Sequence, residues 1–364
     1  MKVGFHSPLP PARTGVADYS AALLRALRPL GQVEVNARQA DAHLYHLGNN
    51  RLHEEIYRRA LVVPGVVVLH DAVLHHFLLG TLSENEYVAE FAYNYGAWSE
   101  DQARRLWRNR ARSAADPQYF RYALLKRVVE RSRAVVVHNP GAAQMVREHV
   151  PSAVIHEIPM LFEKPAETPA PFELLRLRQK MGIASRTFVF GVFGHLRESK
   201  RLAAVLRAFE RVRRALPIAL LVAGDFGSSD LARAVAPFLR PDRGIYHIGF
   251  TEEPDFALYT AAAGACINLR YPAAGETSAI SIRLMGAGKP VIMTSGLETS
   301  RFRETSCLRV DPGVPEEEML AEYMLLLASS PFDAERIGRS AAAFIGENHA
   351  PGRVARAYWQ ALTA

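Results

Sequence analysis

Two doubly wound parallel-sheet domains of α/β class are what this 364-residue sequence predicts. Three observations carry the prediction. The chain is longer than one ordinary hydrophobic core supports. Short apolar, β-branched runs alternate with helical stretches, and that series occurs twice. A stretch with four prolines, PMLFEKPAETPAP at 159–171, separates the two series and reads as a linker.

The first series, 1–165, has strands KVGFH (2–6), AHLYHL (42–47), GVVVLH (65–70), AVVVH (134–138) and AVIHEI (153–158). Helical patterns at 15–30 and 140–150 fall between them, and 80–132 reads as a helix-rich insertion. The second series, 172–348, has strands at 187–196, 217–224, 244–250, 264–269, 290–295 and 307–310. An amphipathic helix closes the chain within 349–364 and is expected to pack back on the first domain. Ligands of open α/β sheets bind beyond the carboxyl ends of the strands, so the two loaded edges are expected to face a shared cleft.

Composition narrows the function classes. The apolar share is 49% and the charged share 22%, as in soluble globular proteins. No apolar run reaches membrane-spanning length, and MKVGFHSPLPP lacks a signal-peptide core. Cys266 and Cys307 form no metal-ligand pattern, which fits a reduced, cytoplasmic setting. The formal net charge is +7. Part of it lies in ARRLWRNRAR (103–112), where five arginines surround Leu106 and Trp107. A solvated helix face is one reading; peripheral contact with an anionic inner membrane face or a lipid-linked acceptor is the other. No nucleic-acid motif accompanies the charge.

One tetrapeptide stands out. Gly275-Glu276-Thr277-Ser278 precedes a helix expected over about 277–287. Ser, Thr and Glu there cap a helix; the same groups, with its free N–H donors, also make an anion site. In LHDAVLHH, the residues His70, Asp71, His75 and His76 invite a metal reading, but their spacing makes a poor chelate. No Asp-x-Asp occurs, and no metal site is expected.

FGHLRESKRLAAVLRAFERVRRALPIALLVAGDF and YTAAAGACINLRYPAAGETSAISIRLMGAGKPVI carry a resemblance to the GT-B glycosyltransferases, specifically the retaining family 4 group. The resemblance spans nearly the whole chain. It implies two Rossmann-like domains and a donor loop matching Gly194 and Lys200. It also implies a diphosphate-binding helix start at 275–278, ahead of GKPV, and a first loop with Pro11 and Gly15. The family's two glutamates would fall at Gly275 and Arg283; this chain has GETS instead, with Glu276 one step away. His195 replaces the usual arginine, with Arg197 and Arg201 nearby.

The expected function is transfer of a sugar from a nucleoside-diphosphate donor (UDP or GDP) to a glycan or lipid-linked acceptor, with retention and without a metal or other cofactor. Cations and a helix N-terminus would take the charge developing on the diphosphate. His70, Glu276, Lys200 and Arg197 are the expected catalytic groups. Gly15, Gly194, His195, Arg201, Gly224, Phe250, Thr251, Gly275, Thr277 and Ser278 are expected on the donor. Asn49, Asn50, His53 and Asp71 are expected on the acceptor side. Turn chemistry alone also accounts for Asn49, Asn50 and Gly224. A sugar-nucleotide epimerase or a catalytically idle sugar-nucleotide-binding protein are the alternatives.

Overall fold

The computed structural model describes residues 1–12, 14–165 and 168–364. Positions 166 and 167 of the expected linker, and Arg13 in the first loop, lie outside the described residues. Met1–Glu163, Pro272–Thr277 and Asn348–Ala364 form one compact unit, and Lys164–Tyr271 with Ser278–Glu347 form a second.

In the first unit the strands are β1 (Lys2–His6), β2 (Gln32–Val35), β3 (Ala42–Leu47), β4 (Val66–Leu69), β5 (Ala134–Val137) and β6 (Ile155–Glu157). They form one parallel sheet in the order β2-β1-β3-β4-β5-β6. Its helices up to β6 are α1 (Gly15–Leu27), α2 (Glu54–Val62), α3 (His75–Thr81), α4 (Glu84–Tyr95), α5 (Glu100–Arg108), α6 (Lys126–Arg131) and α7 (Pro140–His149). β2 is the strand that the sequence pattern did not suggest. It is a four-residue edge strand with alternating exposed and half-buried positions, so it lacks the continuous apolar run of its neighbours.

Central strands of this sheet are buried on both faces, which is why β4 and β5 read as unbroken apolar runs and β3 as an apolar run broken only by the buried His43 and His46. Tyr87, Phe91, Leu106 and Tyr119 from the insertion join Tyr45, Val67, Leu69 and Phe77 in one core. Ser83 caps α4 in a reciprocal capping box with Glu86.

The second unit's strands are β7 (Phe188–Phe193), β8 (Ile218–Ala223), β9 (Ile245–Gly249), β10 (Ala265–Asn268), β11 (Val291–Thr294) and β12 (Leu308–Val310). All pair in parallel, in the order β12-β11-β10-β7-β8-β9. Helices α8 (Pro171–Met181), α9 (Leu202–Val212), α10 (Ser229–Val235), α11 (Glu253–Ala262), α12 (Ala279–Gly286), α13 (Glu316–Ser329) and α14 (Pro331–Asn348) accompany them. The last helix, α15 (Pro351–Thr363), belongs to the first unit, where the buried Tyr358 hydroxyl meets Tyr19 of α1 at 2.9 Å. No helix among the described residues is long and apolar enough to cross a membrane.

Strand order fixes where each unit is open. The winding direction reverses between β1 and β3 in one sheet and between β7 and β10 in the other. Crevices at such reversals, beyond the carboxyl strand ends, are the ligand positions of open α/β sheets.

Candidate functional site

At the β7/β10 reversal the loop after β7 carries Gly194, His195, Arg197, Lys200 and Arg201. Register pairs Phe193 with Ala223, so Gly194 and Gly224 emerge side by side. Gly194 has φ +85°, and a Cβ on Gly224 would sit 2.3 Å from the Gly194 carbonyl oxygen, so that approach requires glycine. Tyr271 N–H donates to Ser199 O at 2.8 Å, tying the loop after β10 to the loop after β7.

Lys200 is not the solvated lysine that its place in "ESKR" suggests. It is buried, at 5% exposure, and Nζ donates to the Phe193 carbonyl. Burial, then the nearby Arg270 and Arg197, hold its amine well below the ordinary lysine range. Arg197 and His195 stand exposed beside it, and burial followed by the Arg197 and Lys200 charges lowers the imidazole. Arg201 is oriented elsewhere. It takes a left-handed backbone (φ 57°), and Nε donates to the fully buried Glu316 at 2.8 Å. Phe250 is exposed, with its N–H on Asp225 Oδ1 at 3.1 Å, and Thr251 beside it is half-buried.

The tetrapeptide divides. Helix α12 begins at Ala279 rather than near Thr277, with Ser278 as its cap: Ser278 Oγ accepts from Ser281 N–H. Asn268 Nδ2 also donates to Ser278 Oγ and Ser281 Oγ. Gly275, Glu276 and Thr277 belong to the first unit and serve as a docking loop there. Ala72 and Val73 N–H donate to Ala274 O, and Asn139 Nδ2 donates to Gly275 O and Thr277 Oγ1, each bond 2.8–3.0 Å. Glu276 folds back to accept from Ala274 N–H at 2.7 Å. With φ +70°, Gly275 lies so close to Ala72 that a Cβ would meet its methyl at 2.6 Å. A helix start over Thr277 is thus corrected: the asparagine bonds, not helical ones, fix that residue.

In the first unit, β3 and β4 end flush, Leu47 opposite Leu69, and His70 N–H donates to Leu47 O at 2.9 Å. His70 is buried and its Nε2 lies 2.9 Å from His46 Nδ1. The acceptor-side expectation fares differently residue by residue. His53 is fully buried, with Nδ1 on His46 O, which removes it from the surface. Asn50 caps a short turn by accepting from Leu52 N–H, as turn chemistry requires. Asn49 accepts from Phe77 N–H at the start of α3, and its own N–H donates to Asp71 Oδ2. Gly15 opens α1 behind the Thr14 cap, with open space where its Cβ would be. His75 is held by Tyr119 O and the Tyr87 hydroxyl, while His76 Nε2 lies 3.0 Å from Ser113 O and its Nδ1 3.4 Å from Asn49 Nδ2.

Several residues at these edges had no site role in the sequence reading. His46 hides inside an all-buried strand, His138 and Asn139 end β5, and Arg270 ends β10. Glu316 gave no signal because its partner is 115 positions away. Arg283, where a glutamate was the family expectation, grips both Glu253 oxygens at 2.6 and 2.7 Å and lies 3.9 Å over Phe256.

No family model matches the chain. No curated protein matches it either. Solved structures do. HepE of Anabaena in complex with UDP and glucose superposes with TM-score 0.71 at 14% identity, covering 100% of this chain and 99% of that one. Sucrose-phosphate synthase from Thermosynechococcus elongatus gives 0.70 at 15% identity over 99% and 98%. WaaG, a glycosyltransferase involved in lipopolysaccharide biosynthesis, gives 0.61 at 13% over 97% and 98%. At such identities likeness speaks to architecture, and the architecture is that of the GT-B fold: two Rossmann-like domains, each a six-stranded parallel sheet.

Proposed function

We propose that the protein is a glycosyltransferase that moves a hexose from UDP or GDP to a glycan or lipid-linked acceptor, with retention and without a metal. One observation carries the reading. The β7 edge gathers Lys200, Arg197 and Arg270, and Lys200 has no carboxylate partner among the described residues. An amine lowered first by burial and then by two neighbouring cations is relieved by an anion, and a leaving diphosphate supplies one as its charge develops. The shared fold supports the same reading, since HepE was solved with UDP-glucose. The cations would do the work elsewhere given to a divalent ion, and His70 would hydrogen-bond the sugar. Peripheral contact with an anionic membrane through the arginines of 103–112 belongs to the same proposal.

The test is transfer from UDP- and GDP-hexoses to glycan and lipid-linked acceptors, with excess EDTA as a second arm. Lys200→Met should cut turnover by at least about tenfold, the loss of a charged contact of roughly 1.5–3 kcal/mol. Full turnover in the folded variant rejects the donor site. Activity abolished by EDTA and restored by magnesium rejects the metal-free mechanism. Epimerised free sugar nucleotide, or binding without turnover, replaces the transferase reading altogether.

A further inference from the structure

His70 sits among histidines that the proposed reaction does not itself require. His46 stacks on it (ring centroids 5.2 Å apart, planes 20° apart), His138 lies at 5.2 Å, and Tyr19 of α1 meets it edge-on at 5.2 Å. His53 lies behind, with Nδ1 2.9 Å from His46 O, and His138 Nδ1 is 2.8 Å from Ile158 O. Backbone carbonyls only accept, so His53 and His138 carry their protons on Nδ1. Their Nε2 atoms, buried and unpartnered, are then bare lone pairs.

The His46–His70 contact admits two assignments. If His70 donated from Nε2 to His46 Nδ1, His46 would carry its own proton on Nε2. That atom is buried without a partner, and a stranded N–H is among the rarest and costliest of buried groups. If His46 donates from Nδ1 instead, only a lone pair is left stranded, as at His53 and His138. The second assignment forces His70 to accept at Nε2 and to hold its proton on Nδ1. That nitrogen makes no hydrogen bond among the described residues, and it belongs to the side chain at the open carboxyl end of β4.

We propose that His46 sets the tautomer of His70, so that His70 offers a fixed Nδ1–H donor to a sugar oxygen and does not serve as a base. The ligand half of this statement rests on the glycosyltransferase reading; the tautomer does not. His46, His53 and His138 surround the ring, and both burial and these neighbours oppose a second proton. His46 is accordingly a positioning residue and His70 the group that meets substrate.

Long-range ¹H–¹⁵N imidazole spectra of the whole protein between about pH 6 and 8 decide the tautomer. His70 should show Nδ1 protonated and Nε2 bare, with its signals assigned by their loss in His70→Asn. A proton on Nε2, or on both nitrogens, overturns the proposal. In His46→Phe, which keeps the stack and removes the donor, His70 should become a mixture of tautomers. An unchanged spectrum there removes His46 from the role. In transfer assays His70→Asn, whose amide lies near the Nδ1 position, should stay within about tenfold of wild type, while His70→Gln and His70→Ala lose about tenfold more. Equal loss in all three rejects the donor role. A protein that transfers no sugar but shows the expected spectra would end the glycosyltransferase reading and leave the tautomer standing.

Discussion

Lys200 and Arg201 are adjacent in sequence, and their surroundings are opposite. Lys200 is an amine enclosed beside a carbonyl with two cations near it; Arg201 neutralises a carboxylate with no exposure at all. Removing either therefore has different consequences. Arg201→Met strands Glu316, whose second oxygen already lacks a partner, and should lower unfolding stability by about 2–3 kcal/mol, below the usual 3–5 because Arg201 is one-third exposed. Lys200→Met removes a costly buried amine in exchange for a side chain of similar length, so its urea midpoint should be unchanged or higher. Urea melts of the two variants check both statements. A destabilised Lys200→Met with a stable Arg201→Met reverses the assignment of which cation holds the fold.

At the scale of elements, the insertion settles which of its aromatic groups can meet a membrane. Trp107 packs on Tyr87 at 5.4 Å with Arg110 across its ring at 4.3 Å, while the other four arginines are exposed and Trp98, in the turn before α5, is 84% exposed. Binding to anionic vesicles should thus be electrostatic: present at low salt, lost at high salt, and abolished by Arg105, Arg108 and Arg112→Ser with little change in Tm. Trp107→Ala should instead cost about 3 kcal/mol of stability, as a packed aromatic does. Sedimentation with neutral and anionic vesicles measures it; equal binding to both returns the helix to a merely solvated face. The same scale shows what was legible in sequence. β4 and β5 announced themselves because burial on both faces demands unbroken apolar runs, while β1 and β3 keep short apolar stretches beside histidines. β2 did not, since an edge strand obeys no such demand. GETS misled because capping residues report that a helix starts nearby, not which of them starts it; Asn139, 138 positions from Thr277, decided that. Glu316 was illegible for the same reason, its partner lying 115 positions away; the burial of Lys200 was too, although the Phe193 carbonyl it meets is close in the chain.

Over the whole molecule, the histidines are unevenly shared, and this gives the two units different responses to acid. In the first unit burial is the leading cause that lowers His6, His53 and His138 to about 4 and His75 to about 3. His46 and His70 are held well below the ordinary value, again by burial first. In the unfolded chain each regains a value of about 6.5. Between those values the unfolded state binds protons that the folded state refuses, so stability is full above about pH 6.5 and falls as the pH drops toward 4. Each such histidine removes about 1.4 kcal/mol per pH unit inside that window, and six acting together exceed the margin of an ordinary domain well before pH 4. In the second unit His195 is exposed and only lowered, and the carboxylates held down by ion pairs, Asp242 and Glu317, lie at the surface. Scanning calorimetry from pH 8 to 4 should accordingly show the transition of the first unit moving steeply downward from about pH 6.5, and that of the second, where the lowered amines of Lys200 and Lys289 stand against six histidines, moving less. Replacing His6 by Gln should flatten the slope by about one histidine's share. A Tm independent of pH through this window, or a steeper fall in the second unit, would contradict neutral buried histidines and with them the network around His70.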